Sequence, residues 1–179
     1  MNTPESSPSF RTSLADDDQL ACYSAGMCHI FAIALHRAFG WSLLTVTDDN
    51  ETWWEDEDDP DNFIPAVVHV YAVDQKGNAW DIFGCRPEGD ISGEVADRFG
   101  ALSTSHDDCR NVGEMGMYVD GLIEDDGIER PLCGYSPADI DAALGVANKA
   151  LGHLDGFPAQ ETGKRAVAEQ GHLRKPKHH

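Results

Sequence analysis

The most regular pattern of apolar residues in the chain lies at residues 28–39, with the sequence CHIFAIALHRAF. Phe31, Leu35 and Phe39 recur at four-residue steps, which places their side chains on one face of a helix. Gly40 follows, and glycine is the residue that most often ends a helix in the left-handed conformation. The pattern therefore predicts a helix over residues 28–39.

A second helix is predicted from residue 137 to about residue 151. Ser136 precedes it as a cap, Pro137 suits the first helical position, and Asp139 stands where the partner of a capping box belongs. Residues 91–99, ISGEVADRF, predict a third, shorter helix.

Short apolar segments rich in β-branched and aromatic residues predict three strands, at residues 41–47, 66–73 and 79–83. The last two are separated by residues 74–78, DQKGN, and a glycine in so short a connection indicates a β-hairpin. The combination predicts an α+β fold with an antiparallel sheet.

A dense run of acidic residues separates the first two predicted strands. Nine of the fourteen residues in 48–61 are Asp or Glu, and like charges at this density predict a solvated loop. The loop carries Trp53 and Trp54, for which two interpretations remain open. They line a substrate cleft if the loop folds over the site, or they anchor the loop to the core.

The ends of the chain are more polar than its middle. Residues 1–19 are rich in Ser, Pro, Thr and Asp and predict a flexible lead-in, and residues 156–179 predict a mobile basic tail. Residues 20–155 then form a single domain, in which residues 101–135 carry no pattern that assigns a structure. No apolar segment is long enough to span a bilayer, and no secretory signal is visible.

Charge and cysteine content limit the classes of partner. With 13 Lys and Arg against 32 Asp and Glu, the formal net charge is −19, which disfavours nucleic acid and anionic membranes and favours a basic partner. The five cysteines have no C-x-x-C spacing, so neither a disulfide framework nor a standard zinc site is predicted. Reduced thiols in the cytoplasm are the simpler expectation, and no cofactor is predicted.

Three residues have the types and positions required for nucleophilic catalysis. Cys28 begins the predicted first helix, where the helix dipole stabilises a thiolate. His69 lies inside an apolar strand, and Asp81 lies inside the next strand, where a carboxylate requires a partner. Taken singly, Cys28 is also compatible with an ordinary buried cysteine, and His69 with a core histidine.

The hairpin register determines whether the histidine and the aspartate meet. If residues 75–77 form the loop, with Gly77 at its left-handed third position, His69 lies opposite Phe83. Asp81 then points to the same face as a diagonal neighbour, at about 7–8 Å between backbones. A two-residue loop would turn Asp81 to the other face. The position of the glycine therefore predicts a His69–Asp81 contact.

The three segments are GMCHIFAIALHRAFGW, VVHVYAVD and NAWDIFG. A cysteine at a helix start, a histidine in a strand and an aspartate in the next strand resemble the papain-like and transglutaminase-like superfamily of cysteine hydrolases, over residues 24–84. The resemblance implies a sheet packed against the nucleophile-bearing helix and a catalytic triad of Cys28, His69 and Asp81. It also implies acyl chemistry on a protein or peptide substrate, as a protease, amidase, glutamine deamidase or transglutaminase.

The chain departs from the papain-like pattern at the oxyanion hole. Papain-like peptidases carry a glutamine six residues before the nucleophile, where this chain has Cys22, and the nearest glutamine here is Gln19. Only the backbone of Cys28 remains as an oxyanion donor. His29 follows the nucleophile directly and is expected at the surface or just behind the catalytic residues.

Alternatives to the acyl hydrolase or transferase remain open. The acidic run also suits a non-enzymatic binding protein, such as a nucleic-acid mimic or an inhibitor of a basic partner. Residues 56–59 offer carboxylates to calcium, although the EF-hand spacing is missing, and Cys28, His69 and Asp81 are possible zinc ligands. Residues 106–109, HDDC, contain reactive residue types but are expected in a loop.

Overall fold

A computed structural model gives the conformation of residues 11–101, 103–124 and 126–158. In these ranges the chain forms four helices: α1 (Asp17–Ser24), α2 (Cys28–Phe39), α3 (Ile91–Phe99) and α4 (Pro137–Leu151). The predicted helices at 28–39, 91–99 and 137–151 are confirmed. Gly40 takes the expected left-handed conformation, and Ser136 and Asp139 form the expected capping box.

The described residues also form one antiparallel sheet. Its six strands are β1 (Arg11–Thr12), β2 (Ser42–Glu55), β3 (Phe63–Val73), β4 (Asn78–Asp81), β5 (Gly84–Pro87) and β6 (Thr104–Cys109). They lie in the order β1-β5-β4-β3-β2-β6, and each neighbouring pair is antiparallel. The α+β class and the antiparallel sheet are therefore confirmed.

The acidic segment is the largest departure from the sequence-based expectation. The prediction of a loop over residues 48–61 is wrong for residues 48–55, because β2 continues to Glu55 and pairs with β3 back to Phe63. The extension is irregular, with register shifts between Asp48 and Thr52 and again before Trp54. Its side chains are mostly exposed, so water solvates the charges while the backbone still pairs.

Ordered structure begins earlier than the sequence predicts. Within the expected lead-in of residues 1–19, Arg11 and Thr12 pair with β5, and Asp16 caps α1 in a capping box with Gln19. The expectation of a flexible lead-in is therefore wrong for residues 11–19, and residues 1–10 lie outside the described residues. At the other end, Phe157 is buried in the core. The expectation of a mobile tail from residue 156 is therefore wrong for the first residues of that segment, and residues 159–179 lie outside the described residues.

The segment that the sequence left unassigned contributes an edge strand. Residues 106–109, expected in a loop, lie in β6 and pair with β2. After β6, Met115, Tyr118 and Leu132 are buried in the main core. These side chains hold the segment between β6 and α4 against the core, although it has little regular structure.

Alternate residues of the sheet face two apolar layers. On one face, Leu43, Val70 and Trp80 pack with Phe31 and Leu35 of α2, in a core that also includes α4. Helix α2 is thus packed against one face of the antiparallel sheet. Eight consecutive α2 residues, 28–35, are buried, so the start of this helix lies inside the molecule.

The opposite face of the sheet is covered by α3. Val46, Tyr71 and Ala79 pack there with Ile91 and Val95. Because successive strand residues point to opposite faces, Tyr71 and Ala79 belong to this layer while their neighbours belong to the other. No helix in the described part of the chain is long and apolar enough to cross a membrane.

Candidate active site

The turn between β3 and β4 is built by Asp74. Its carboxylate accepts hydrogen bonds from the backbone of Lys76 at 2.8 Å, from the backbone of Asn78 at 3.0 Å and from Trp80 Nε1 at 3.0 Å. Gly77 has φ of +79°, the left-handed position that the three-residue loop requires. The Asp74 hydrogen bonds and the glycine at this position therefore fix the loop length, and with it the strand register.

The predicted register is confirmed. Ala72 pairs with Trp80 and Val73 pairs with Ala79, as a loop of residues 75–77 demands. As a consequence His69 and Asp81 meet, with His69 Nε2 donating to Asp81 Oδ2 at 3.0 Å. Both side chains are almost fully buried.

Asp81 is held as a carboxylate by a second partner, which the sequence reasoning missed. Arg86 on β5 forms a bidentate pair with it, at 2.9 Å from Nη1 to Oδ1 and 2.7 Å from Nη2 to Oδ2, and the Phe83 N–H donates to Oδ1 at 2.9 Å. Burial alone would raise the pKa of Asp81, but the bonds from Arg86 and His69 hold it well below its usual range. Asp81 is thus a fixed negative charge behind the histidine.

Arg86 is itself buried, at 3% exposure. Its Nε forms an ion pair with a second carboxylate, Glu94 Oε2 on α3, at 2.7 Å. The signal for it in the sequence was an arginine inside a four-residue strand directly after the Asp81 strand. A buried guanidinium requires carboxylate partners, and the nearest acidic strand residue is Asp81.

Cys28 lies at the first position of α2, against His69. Burial would raise the pKa of its thiol, but the neighbouring imidazoles of His29 and His69 lower it to about 6. Burial would likewise lower the pKa of His69, but Asp81 and the Cys28 thiolate raise it to about 9. Because Asp81 occupies Nε2 of the imidazole, Nδ1 remains for the thiol. At a pH between about 6 and about 9, these shifts favour a Cys28 thiolate paired with a His69 imidazolium.

His29 is fully buried, so the expectation that it lies at the surface is wrong. Its Nε2 lies 2.9 Å from the carbonyl oxygen of Cys133, and its ring packs against Tyr135 at 6.1 Å between centroids. The interaction ties the start of α2 to the segment before α4. His29 thus has the second role expected for it, behind the nucleophile, where it helps to lower the pKa of Cys28.

These contacts form one continuous chain across the fold. Cys28 on α2 contacts His69 on β3, which contacts Asp81 on β4, and Arg86 on β5 links Asp81 to Glu94 on α3. The first N–H groups of a helix lack intrahelical acceptors and are suited to stabilise an oxyanion next to Cys28. The arrangement therefore combines a nucleophile, a base, an orienting carboxylate and candidate oxyanion donors.

The two tryptophans lie outside this arrangement. Trp53 is 50% exposed, and Trp54 packs against the main core. Neither lines the cavity of about 330 Å³ that is lined by Gly26, Val68 and Phe99. The interpretation as an anchor suits Trp54, which fastens the β2 extension to the core.

A second polar cluster lies on the α3 side of the sheet. The Tyr71 hydroxyl is 2.9 Å from His106 Nδ1 and 3.2 Å from Glu88 Oε1, and the Ser92 hydroxyl contacts His106 Nε2. Burial and the Glu88 carboxylate raise the pKa of Tyr71. His106 Nδ1 also lies 3.2 Å from Glu88 Oε1. We interpret the cluster as a hydrogen-bonded network that fastens α3 and β6 to β3.

The metal alternatives find no geometric support among the described residues. There, no group of three or more His, Cys, Asp or Glu side chains is placed to hold a metal ion. In the acidic loop, Asp56 Oδ1 accepts from the backbone of Asp58 at 2.9 Å and Oδ2 from Asn62 Nδ2 at 3.1 Å. These carboxylate oxygens hold the loop itself.

No protein-family model matches this chain, and neither curated proteins nor solved structures include a match to it.

Proposed function

We propose that this protein is a thiol-dependent acyl hydrolase or acyl transferase whose catalytic triad is Cys28, His69 and Asp81. The observation that carries the proposal is the buried His69–Asp81 hydrogen bond at 3.0 Å, held by Arg86 and placed beside Cys28 at the first position of α2. A core histidine without a chemical role requires neither a low-pKa thiol on one side nor an ionised carboxylate on the other.

The same geometry supports a relationship to the papain-like and transglutaminase-like superfamily. A nucleophile at a helix start, facing a histidine and an aspartate from successive antiparallel strands, is the arrangement that the resemblance implies. We place the protein there as part of the proposal, with a basic protein or peptide as its substrate.

The reaction proceeds from the thiolate–imidazolium pair. Cys28 Sγ attacks the acyl carbon, the S–C bond forms, and the carbonyl oxygen becomes an oxyanion stabilised by N–H groups at the start of α2. His69 then protonates the leaving amine from Nδ1 as the C–N bond breaks, which leaves a thioester on Cys28. Asp81 remains ionised, keeps the imidazole oriented and stabilises its charged form.

The thioester is resolved by water or by an amine. Neutral His69 removes a proton from that nucleophile as it attacks, and collapse of the second oxyanion breaks the C–S bond. The thiolate and imidazolium are then restored. Water gives hydrolysis or deamidation, and an amine gives transamidation.

One observation favours the acidic binding protein as a second candidate. The irregular half of β2 carries exposed carboxylates, and residues 56–59 continue the same charge. This surface suits a basic partner without any chemistry. The buried contacts of His69, Asp81 and Arg86 contribute nothing to such a role, and we therefore place it second.

The pH dependence of Cys28 alkylation tests the triad directly. In a variant with Cys22 and Cys133 replaced by Ser and Cys85 and Cys109 by Ala, iodoacetamide should modify Cys28 with a rate that rises through pH 6, because its pKa is lowered to about 6. Mass spectrometry across pH 4–10, which spans roughly the range where thiols titrate, gives the midpoint.

The same protein unfolded in guanidinium is the control and should titrate near about 8.5, the value of a free thiol. A midpoint at or above that value in the folded protein would remove the basis of the proposal and leave the acidic binding protein as the better candidate.

A further inference from the structure

A cavity of about 330 Å³ borders the candidate active site. Its lining includes Gly26, two residues before Cys28, and Val68, the chain neighbour of His69. It also includes Phe99, whose ring stacks on the imidazole of His69 at 6.2 Å between centroids. The Phe99 contact places the cavity next to His69, and Gly26 places it near the turn that leads into α2. Its volume suits one extended side chain or a small ligand.

The charge of this cavity has one sign. Asp48 and Glu51 are its charged lining residues, and none of the Lys, Arg or His residues that the structure describes lines it. Neither carboxylate takes part in an ion pair within the described residues. Asp48 accepts from the backbone and side chain of Asn50 through Oδ1, at 2.8 and 3.1 Å, so Oδ2 remains for another donor.

The register shift in β2 is what brings these carboxylates to the cavity. Asp48 pairs with Ala66, which lines the same cavity, and the irregularity between Asp48 and Thr52 contains Glu51. A neighbouring cavity of about 290 Å³ shares Asp48 and Glu51 and adds Asp49 and Asp107. The negative potential therefore extends outward from the site and would attract a cation.

The remaining lining is apolar and aromatic. Ala66, Val67, Val68 and Ala101 form the aliphatic part, and Phe99 supplies a ring. A lysine or arginine side chain combines the matching features, because its methylene stem packs on apolar groups while its charged head reaches carboxylates or an aromatic face.

We infer that this cavity is the specificity pocket of the enzyme and binds a Lys or Arg side chain adjacent to the acyl group that Cys28 attacks. The inference rests on the proposed function and adds to it the cavity that recognises a cationic side chain of the substrate. Asp48 and Glu51 are the specificity-determining residues, and Phe99 is the apolar wall between them and His69.

Matched electrophiles test the inference without knowledge of the natural substrate. The probes are three chloromethyl ketones of Nα-acetylated amino acids: lysine with a free side-chain amine, the neutral norleucine and the acidic glutamate. The readout is the second-order rate constant for labelling of Cys28. The lysine probe should label about tenfold or more faster than the norleucine probe, the ratio expected from one charge-assisted contact, and the glutamate probe should be slowest.

Two double variants separate the cavity from the overall charge. In Asp48→Asn/Glu51→Gln the lysine-to-norleucine ratio should fall to near one. In Glu57→Gln/Asp58→Asn, which removes the same two charges from the acidic loop, the ratio should remain as in the wild type.

Equal rates for the lysine and norleucine probes in the wild type, or an equal fall of the ratio in both double variants, would overturn the inference. If the alkylation midpoint of Cys28 is near 6 at the same time, the proposed function stands and only the substrate class is wrong. If that midpoint is unperturbed and no probe labels Cys28, the proposed function fails as well.

Discussion

Replacement of His69 by alanine should move the alkylation midpoint of Cys28 from about 6 to above its ordinary value of 9.0, since burial then acts on the thiol with much less compensation. At pH 7 the fraction of Cys28 present as thiolate falls by about a hundredfold. A more basic thiolate is also a better nucleophile, so the alkylation rate at pH 7 falls by less, about tenfold. Acyl transfer should fall further, by about 10²–10⁴-fold, because the proton donor and acceptor are lost together.

The measurement is the iodoacetamide rate profile of the His69→Ala protein, in the background that retains Cys28 as its single cysteine. His153→Ala is the matched control, since His153 is an exposed histidine, and its profile should coincide with that of the parent. A His69→Ala midpoint that stays near 6 would show that helix position or His29 alone lowers the pKa of the thiol.

Replacement of Arg86 by methionine should reduce the free energy of unfolding by about 3–5 kcal/mol, the usual cost of leaving a buried charge without its partner. Asp81 would retain only the His69 and Phe83 donors at 2% exposure. Urea unfolding at pH 7 measures the loss. Arg110→Met is the control, because the Arg110–Asp108 pair is 77% and 53% exposed and such pairs contribute about 0–1 kcal/mol.

The pH dependence of that stability has a definite sign. The folded pKa of Asp81 is depressed, so the stability that it contributes is present above its unfolded pKa and is lost as the pH falls towards its folded value. In Arg86→Met the folded pKa of Asp81 rises, and this contribution shrinks. Adding Asp81→Asn to Arg86→Met should recover part of the loss; a double variant less stable than Arg86→Met would argue against an unpaired charge as the cause.

The hairpin shows which part of the site could be predicted from sequence. Its register depends on one loop, and Gly77 marks the single left-handed position that a three-residue loop needs. Once that register is fixed, strand periodicity determines that His69 and Asp81 share a face. Local chemistry was sufficient, so the contact followed from the sequence.

Arg86 and the acidic extension of β2 depended on information that is not local. Arg86 reaches Asp81 because β5 pairs with β4. A strand of four residues is too short to show a periodic pattern in the sequence, so β5 could not be predicted. In residues 48–55 the charge density indicated a loop, but pairing with β3 satisfies the backbone while the side chains remain in water. Tertiary pairing thus outweighed local propensity.

The burial of Cys28 controls the rate of every reaction at its sulfur. The residue is 4% exposed, and its partner His69 is 1% exposed under the ring of Phe99. A molecule reaches Sγ only when neighbouring groups move apart, so the observed rate is the intrinsic rate multiplied by the open fraction. Peroxide is subject to the same factor as substrate. In the proposed function, the burial that restricts access of the acyl donor to the Cys28 thiolate restricts its oxidation by peroxide as well.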